Sequence, residues 1–173
     1  MKLLKIGSIE IPQHASFDMD QTYERFGSVA PPLRTANGTG IQQYVWSKIR
    51  TTISFGGWSP AGLDAIDYTV QQALACISPR SVNANISREA ILPAARRADS
   101  GYLPFGWAFL ADGGRVETPC VLIGNTATLD AVTGAVGYQA VYYPLLQCWL
   151  QRPVESFSRG DASFRCELTG EEV

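Results

Sequence analysis

The sequence predicts a mainly β fold, an antiparallel β-sandwich or barrel with at most one short helix. Three observations carry this. Short segments rich in β-branched and aromatic residues alternate apolar with polar side chains. Clusters of Gly, Pro, Asn and Asp separate those segments. No βαβ alternation is present, so the strands must pair largely as antiparallel neighbours. A chain of 173 residues suits one domain. A single β-rich structural domain over 1–173 is therefore expected, with an insertion or long loop around 78–105.

The elements follow in order. Leu4, Ile6, Ile9 and Ile11 alternate until Gly7 interrupts them, which predicts a short hairpin or bulged strand. Phe17 to Phe26 is a second candidate strand, and Pro31-Pro32 then breaks any regular element. Asn37-Gly38 is a hairpin turn dipeptide. Ile41 to Ser54 gives the strongest strand signal. Ile49, Thr51, Ile53 and Phe55 take one face, and Lys48, Arg50, Thr52 and Ser54 the other. Gly57 to Leu63 is a loop, in which Trp58 is either a core anchor or an interface aromatic; the core anchor is preferred. Gln71 to Ile77 reads as a strand paired with Lys48 to Phe55. Ala84 to Ala98 is the one candidate helix, but Pro93 limits it to a short turn, and a loop fits equally.

Asp112-Gly113 predicts a hairpin between Trp107 and Ile123. Gly137 to Tyr143 is a strand, continued beyond Pro144 by Leu145 to Leu150. In the closing strand Phe164, Cys166 and Leu168 face inward, while Arg165, Glu167 and Thr169 face outward. Gly170 to Val173 is expected to fray.

Composition narrows function. Charged residues make up 17% against 46% hydrophobic, below the roughly 25% charged of an average soluble domain. The neutral surface this leaves is either covered by copies or partners, or built of Ser, Thr, Gln and Asn. A chain of this size buries roughly 70% of its unfolded surface, so it needs no metal or disulfide to fold. The net charge is −2, and Arg96-Arg97, the nearest thing to a basic run, is followed at once by Asp99. Nucleic-acid binding is not expected. Lys5 and Glu10 interrupt the first apolar residues before a signal-peptide core forms, and no run is long enough to span a membrane. Synthesis in the cytoplasm with no membrane anchor is the expectation, and on it the acceptor patterns at Asn37 and Asn85 carry no glycan.

Chemistry is sparse. His14 is the single histidine, so a Ser-His-Asp or Cys-His arrangement would have to use it, and no nucleophile elbow accompanies it. Cys76, Cys120, Cys148 and Cys166 form no CxxC pair and read as reduced thiols, the first and last two of them in the core. Asp18 and Asp20, Asp64 and Asp67, and Glu171 and Glu172 are the close carboxylate pairs. Asp64 and Asp67 read as turn caps before they read as a hydrolase site. Asp18-Met-Asp20 lacks the glycine and distal glutamate of a calcium loop. Gly38-Thr-Gly40 is only a fragment of a phosphate-binding motif. No catalytic, cofactor-binding or metal-binding residue is assigned, and the chain is not expected to be an enzyme.

Several stretches together resemble the distal-tail or baseplate-type tail-tip proteins of long-tailed bacteriophages. They are Lys5 to Pro12, Gln21-Thr-Tyr-Glu24, Asn37 to Gly40, Trp46 to Ser54, the Gly57 to Leu63 loop and the closing strand. The resemblance covers most of the chain and involves structural motifs. It implies a virion protein without a cofactor, assembled in the host cytoplasm. Copies would form a ring, commonly a hexamer, that joins the tail tube to the hub or receptor-binding proteins. Tail tube, tape measure, hub and fibres would be its partners. A tail terminator or head–tail connector is the nearest alternative. A carbohydrate-binding β-module is another, and its sign would be exposed aromatics clustered on one face. Trp46, Trp58, Trp107 and Trp149 lie too far apart in sequence to judge that.

Overall fold

Short alternating segments pair into antiparallel sheets in the computed structural model, which describes residues 3–27, 33–41 and 46–173. The Pro31-Pro32 break and positions 42–45 of the strongest predicted strand lie outside the described residues. In chain order the strands begin with β1 (Lys5–Ile6), β2 (Ile9–Glu10), β3 (Asp18–Phe26), β4 (Leu33–Arg34), β5 (Gly40–Ile41) and β6 (Lys48–Gly57). There follow β7 (Gln72–Ala75), β8 (Arg80–Asn83), β9 (Glu89–Ile91), β10 (Phe105–Leu110), β11 (Arg115–Thr118) and β12 (Cys120–Ile123). The last are β13 (Thr126–Leu129), β14 (Ala135–Tyr142), β15 (Leu145–Leu150), β16 (Val154–Ser158) and β17 (Ser163–Glu172). The helical pieces among the described residues are two 3₁₀ turns, Gln13–Ala15 and Leu63–Ala65. No helix there is long and apolar enough to cross a membrane.

The chain divides into two compact units. The first comprises Met1–Ile11 and Ala73–Leu146, the second Pro12–Gln72 and Gln147–Val173.

The first unit is sandwich-like. One sheet runs β11–β10–β14–β8 and another β12–β13–β9. Ala90, Leu92, Ala127, Leu129, Ala140 and Tyr142 form the core between them. Small residues permit this packing: a Cβ on Gly106 would lie 2.6 Å from Leu129 Cδ2. The β1–β2 hairpin turns at Gly7, where φ is 57°. The segment around 78–105 supplies β8 and β9. Its longer connection is held by Arg97, whose side chain is buried (4% exposed). Arg97 Nη1 donates to the carbonyls of Leu3, Ala75 and Cys76 at 3.1–3.2 Å. Its Nε and Nη2 bond both oxygens of Asp99, and its guanidinium lies 3.1 Å from the Tyr102 ring centroid.

The second unit is built on β6, which lies between β3 and β17. β3 pairs along one edge of β6 from Asp18↔Gly56 to Phe26↔Lys48. β17 pairs along the other from Phe164↔Gly57 to Glu171↔Arg50. β16 covers the first half of β17, and the end of β15 covers the second. Thr51, Ile53, Phe55, Cys166 and Leu168 face inward as the alternation predicts. Ala61 and Leu63, from the loop after β6, are buried as well.

Three expectations need correction. The 71–77 segment does pair as a strand, but β7 pairs with β1, not with the 48–55 strand. Both edges of β6 are taken by longer partners, eight and nine residues in register, which four residues of β7 cannot match. The 84–98 segment takes the loop alternative and adds an unexpected strand, β9. Arg88 sits at φ 62°, and Asn85 closes a tight turn onto Glu89 through its backbone and its Oδ1, 2.9 Å from Glu89 N. The C-terminal residues do not fray. Gly170 is buried within β17, Glu172 Oε2 accepts from Ile49 N at 2.9 Å, and Val173 N donates to Gln147 O.

Candidate functional site

Register carries outward side chains of four strands of the second unit into rows. In the first row Asp18, Gly56, Arg165 and Ser156 lie side by side. In the next, Asp20, Ser54, Glu167 and Val154 do so. Gly56 has no side chain, so the first row dips at its centre. The result is a hollow of about 340 Å³ with Asp18, Asp20, Ser54, Ser156, Arg165 and Glu167 around it. Among the described residues none of these six side chains makes a hydrogen bond or ion pair.

The far end of the same face behaves differently. There Arg50 lies between Glu24 and Glu171, 3.6 Å from one and 2.8 Å from the other. Those charges neutralise each other across the sheet. The charges beside Gly56 do not.

Aromatic residues wall the hollow at its strand-end side. A second depression of about 200 Å³, lined by Phe17, Trp58 and Phe164, continues it and shares Asp18, Gly56 and Arg165 with it. Trp58 is 72% exposed and Phe17 48%, with ring centroids 4.8 Å apart. His14 meets Phe17 edge-on at 5.9 Å. The local backbone dictates this cluster. The Gln13–Ala15 turn lies directly on the end of β6, where a Cβ on Gly57 would collide with the His14 carbonyl. That carbonyl accepts from Trp58 N at 2.7 Å. The contact sets the residue after β6 beside the residue before β3. Trp58 is therefore not the preferred core anchor. Ala61 and Leu63 fill that role, and the indole is left outside because Gly57 is pinned beneath His14.

The other sequence candidates are dispersed. Asp67 Oδ1 accepts from Thr69 N and Oγ1 at 2.8 and 2.6 Å, a turn cap. Those bonds hold its carboxyl below the usual range. Glu171 is paired with Arg50, and Glu172 caps the Ile49 amide. All four cysteines are free thiols, and Cys76, Cys148 and Cys166 are buried. Burial, and secondarily Glu155, pushes the Cys166 thiol up to about 12. Asp18 and Asp20 lie on a strand rather than in a calcium loop. No group of three or more potential metal ligands occurs among the described residues. Trp107 packs on Phe105, and Trp46 on Phe26.

Sequence reading missed Gly56, Arg165 and Glu167 as partners of Asp18 and Asp20. The outward alternation of 163–169 and 48–54 was the available signal, but only register aligns the rows. No protein-family model matches the chain, and neither a curated protein nor a solved structure matches it significantly.

Proposed function

We propose that this chain is a structural subunit that self-associates through strand edges, and that its assembly is the ring at the tip of a long bacteriophage tail. One observation carries the self-association. β12 is an edge strand that pairs only with β13 among the described residues. Its Val121, Leu122 and Ile123 are exposed, Ile123 by 75%. Register aligns Ile123 with Thr126 and then with Ile91, which is 76% exposed.

An apolar strand edge of this kind invites pairing with another chain. A strand from a second copy would satisfy the open backbone groups and cover the apolar side chains together. The low charge content noted above fits the same reading. The tail-tip setting comes from the family resemblance. A tail terminator or head–tail connector would use the same self-association at another position.

Sedimentation velocity and negative-stain electron microscopy test this. Rings with a central channel are expected at high protein concentration. Val121→Lys with Ile123→Lys should leave a folded monomer, because both side chains lie outside the core. A wild-type protein that stays strictly monomeric, even with tail partners added, overturns the proposal.

A further inference from the structure

We infer that the hollow over Gly56 binds a neutral carbohydrate of one or two sugar rings. The inference is independent of ring formation and rests on a different unit of the molecule.

The polar groups around the hollow come in both hydrogen-bonding senses. Asp18, Asp20 and Glu167 accept, Arg165 donates, and Ser54 and Ser156 do either. Vicinal sugar hydroxyls also donate and accept, so each can meet a carboxylate and a guanidinium or serine at once. Phe17 and Trp58 supply the other half of the match. A pyranose carries an apolar face of C–H groups, which lies flat on an aromatic ring. An exposed indole next to a polar hollow is suited to that contact.

Charge argues against an anionic ligand. Three carboxylates outnumber the single guanidinium of Arg165, so the lining is net negative, and its mix of acceptors and donors suits uncharged hydroxyls. A wholly apolar ligand would strip water from six polar side chains and return nothing. The main hollow, about 340 Å³, lies near the lower end of the roughly 300–1,000 Å³ of small-molecule sites. That limits the ligand to a short saccharide.

The test is calorimetric titration and saturation-transfer NMR with glucose, galactose, N-acetylglucosamine, maltose, cellobiose and lactose. At least one should bind, with transfer to the ring C–H protons. Trp58→Ala and Asp20→Asn should each weaken it by about ten-fold or more, a loss of roughly 1.4 kcal/mol. Circular dichroism and the sedimentation profile should stay as in the wild type. Asp20→Asn keeps shape, removes the charge and turns one acceptor oxygen into an NH2 donor, so its loss of binding, with circular dichroism unchanged, is not assigned to misfolding. Failure of all six sugars to bind overturns the inference. So does binding that both variants retain, or binding confined to charged sugars such as glucuronate or glucosamine.

Discussion

A guanidinium as buried as that of Arg97 persists in a folded protein because every face of it is occupied. Three carbonyls, one carboxylate and one aromatic ring surround it. Arg97→Met should lower stability by about 1–3 kcal/mol, the range for leaving buried hydrogen-bonding groups without their donor, measured by urea unfolding. Arg97→Lys should rescue little, since a single ammonium cannot reach the carbonyls and grip both oxygens of Asp99. The same pair has a pH signature. Arg97 holds the Asp99 carboxyl below its ordinary range, so its contribution is present above that range and is lost as acid protonates it.

Cys166 acts at the opposite extreme. Its thiol is raised from 9.0 to about 12. Between those values the unfolded thiol ionises while the folded one keeps its proton. Stability should therefore fall as pH rises through that window. The slope should flatten in Cys166→Ala, read as unfolding midpoints at successive pH values. Arg97 was visible in the sequence only as half of a basic pair cancelled by Asp99. Nothing local says that such a residue is buried, because its partners come from positions 3, 75 and 76.

Among the elements, Gly57 controls the most. It admits the Gln13–Ala15 turn against the end of β6 and so brings Phe17 to Trp58. Gly57→Ala should cost about 1–3 kcal/mol by overpacking. It should also separate the two rings, which NMR contacts between Phe17 and Trp58 would report. Gly56→Ala is a milder change. Its Cβ would meet the Phe164 carbonyl at 3.1 Å, and it would raise the floor of the hollow.

The clearest alternations are those of β6, β15 and β17, where buried and less buried positions alternate along the strand; β3 and β14 also read as strands, without that burial pattern. β12, β13 and β16 were not legible as separate strands. Thr126–Leu129 is four small or β-branched residues between turns, and Val154–Ser158 is exposed at all five positions. Neither leaves a long alternation. Trp58 was misjudged for a related reason. A loop tryptophan reads as an anchor until the backbone beneath it is known, and here the neighbouring glycine takes the buried place.

For the whole molecule, the antiparallel β class was readable because it depends on strand patterns and turn residues, which are local. The division into two units was not. Each unit joins an early segment to a much later one, and no composition shift marks the passage. The candidate site has the same character. Asp18 and Asp20 stood out as a pair, Arg165 and Glu167 as an outward face, and only pairing through β6 made one site of them. Self-association likewise depends on which strands end a sheet. If the ring forms, the dissociation midpoint should move with protein concentration, since assembly adds to stability by mass action.

The place of β6 between β3 and β17 has a consequence for how the protein is made. Its partner β17 begins more than a hundred residues later in the chain. At roughly 5–20 residues per second of synthesis, β6 waits on the order of 5–20 s for that partner. During the wait its second edge has no partner strand. Lys48, Arg50, Thr52 and Ser54 on one face of that edge, with Gly56 and Gly57 at its tip, make it a poor template for wrong pairing. The polar face of β6, of which Ser54 and Gly56 later line the hollow, should thus also disfavour mispairing while the chain is unfinished.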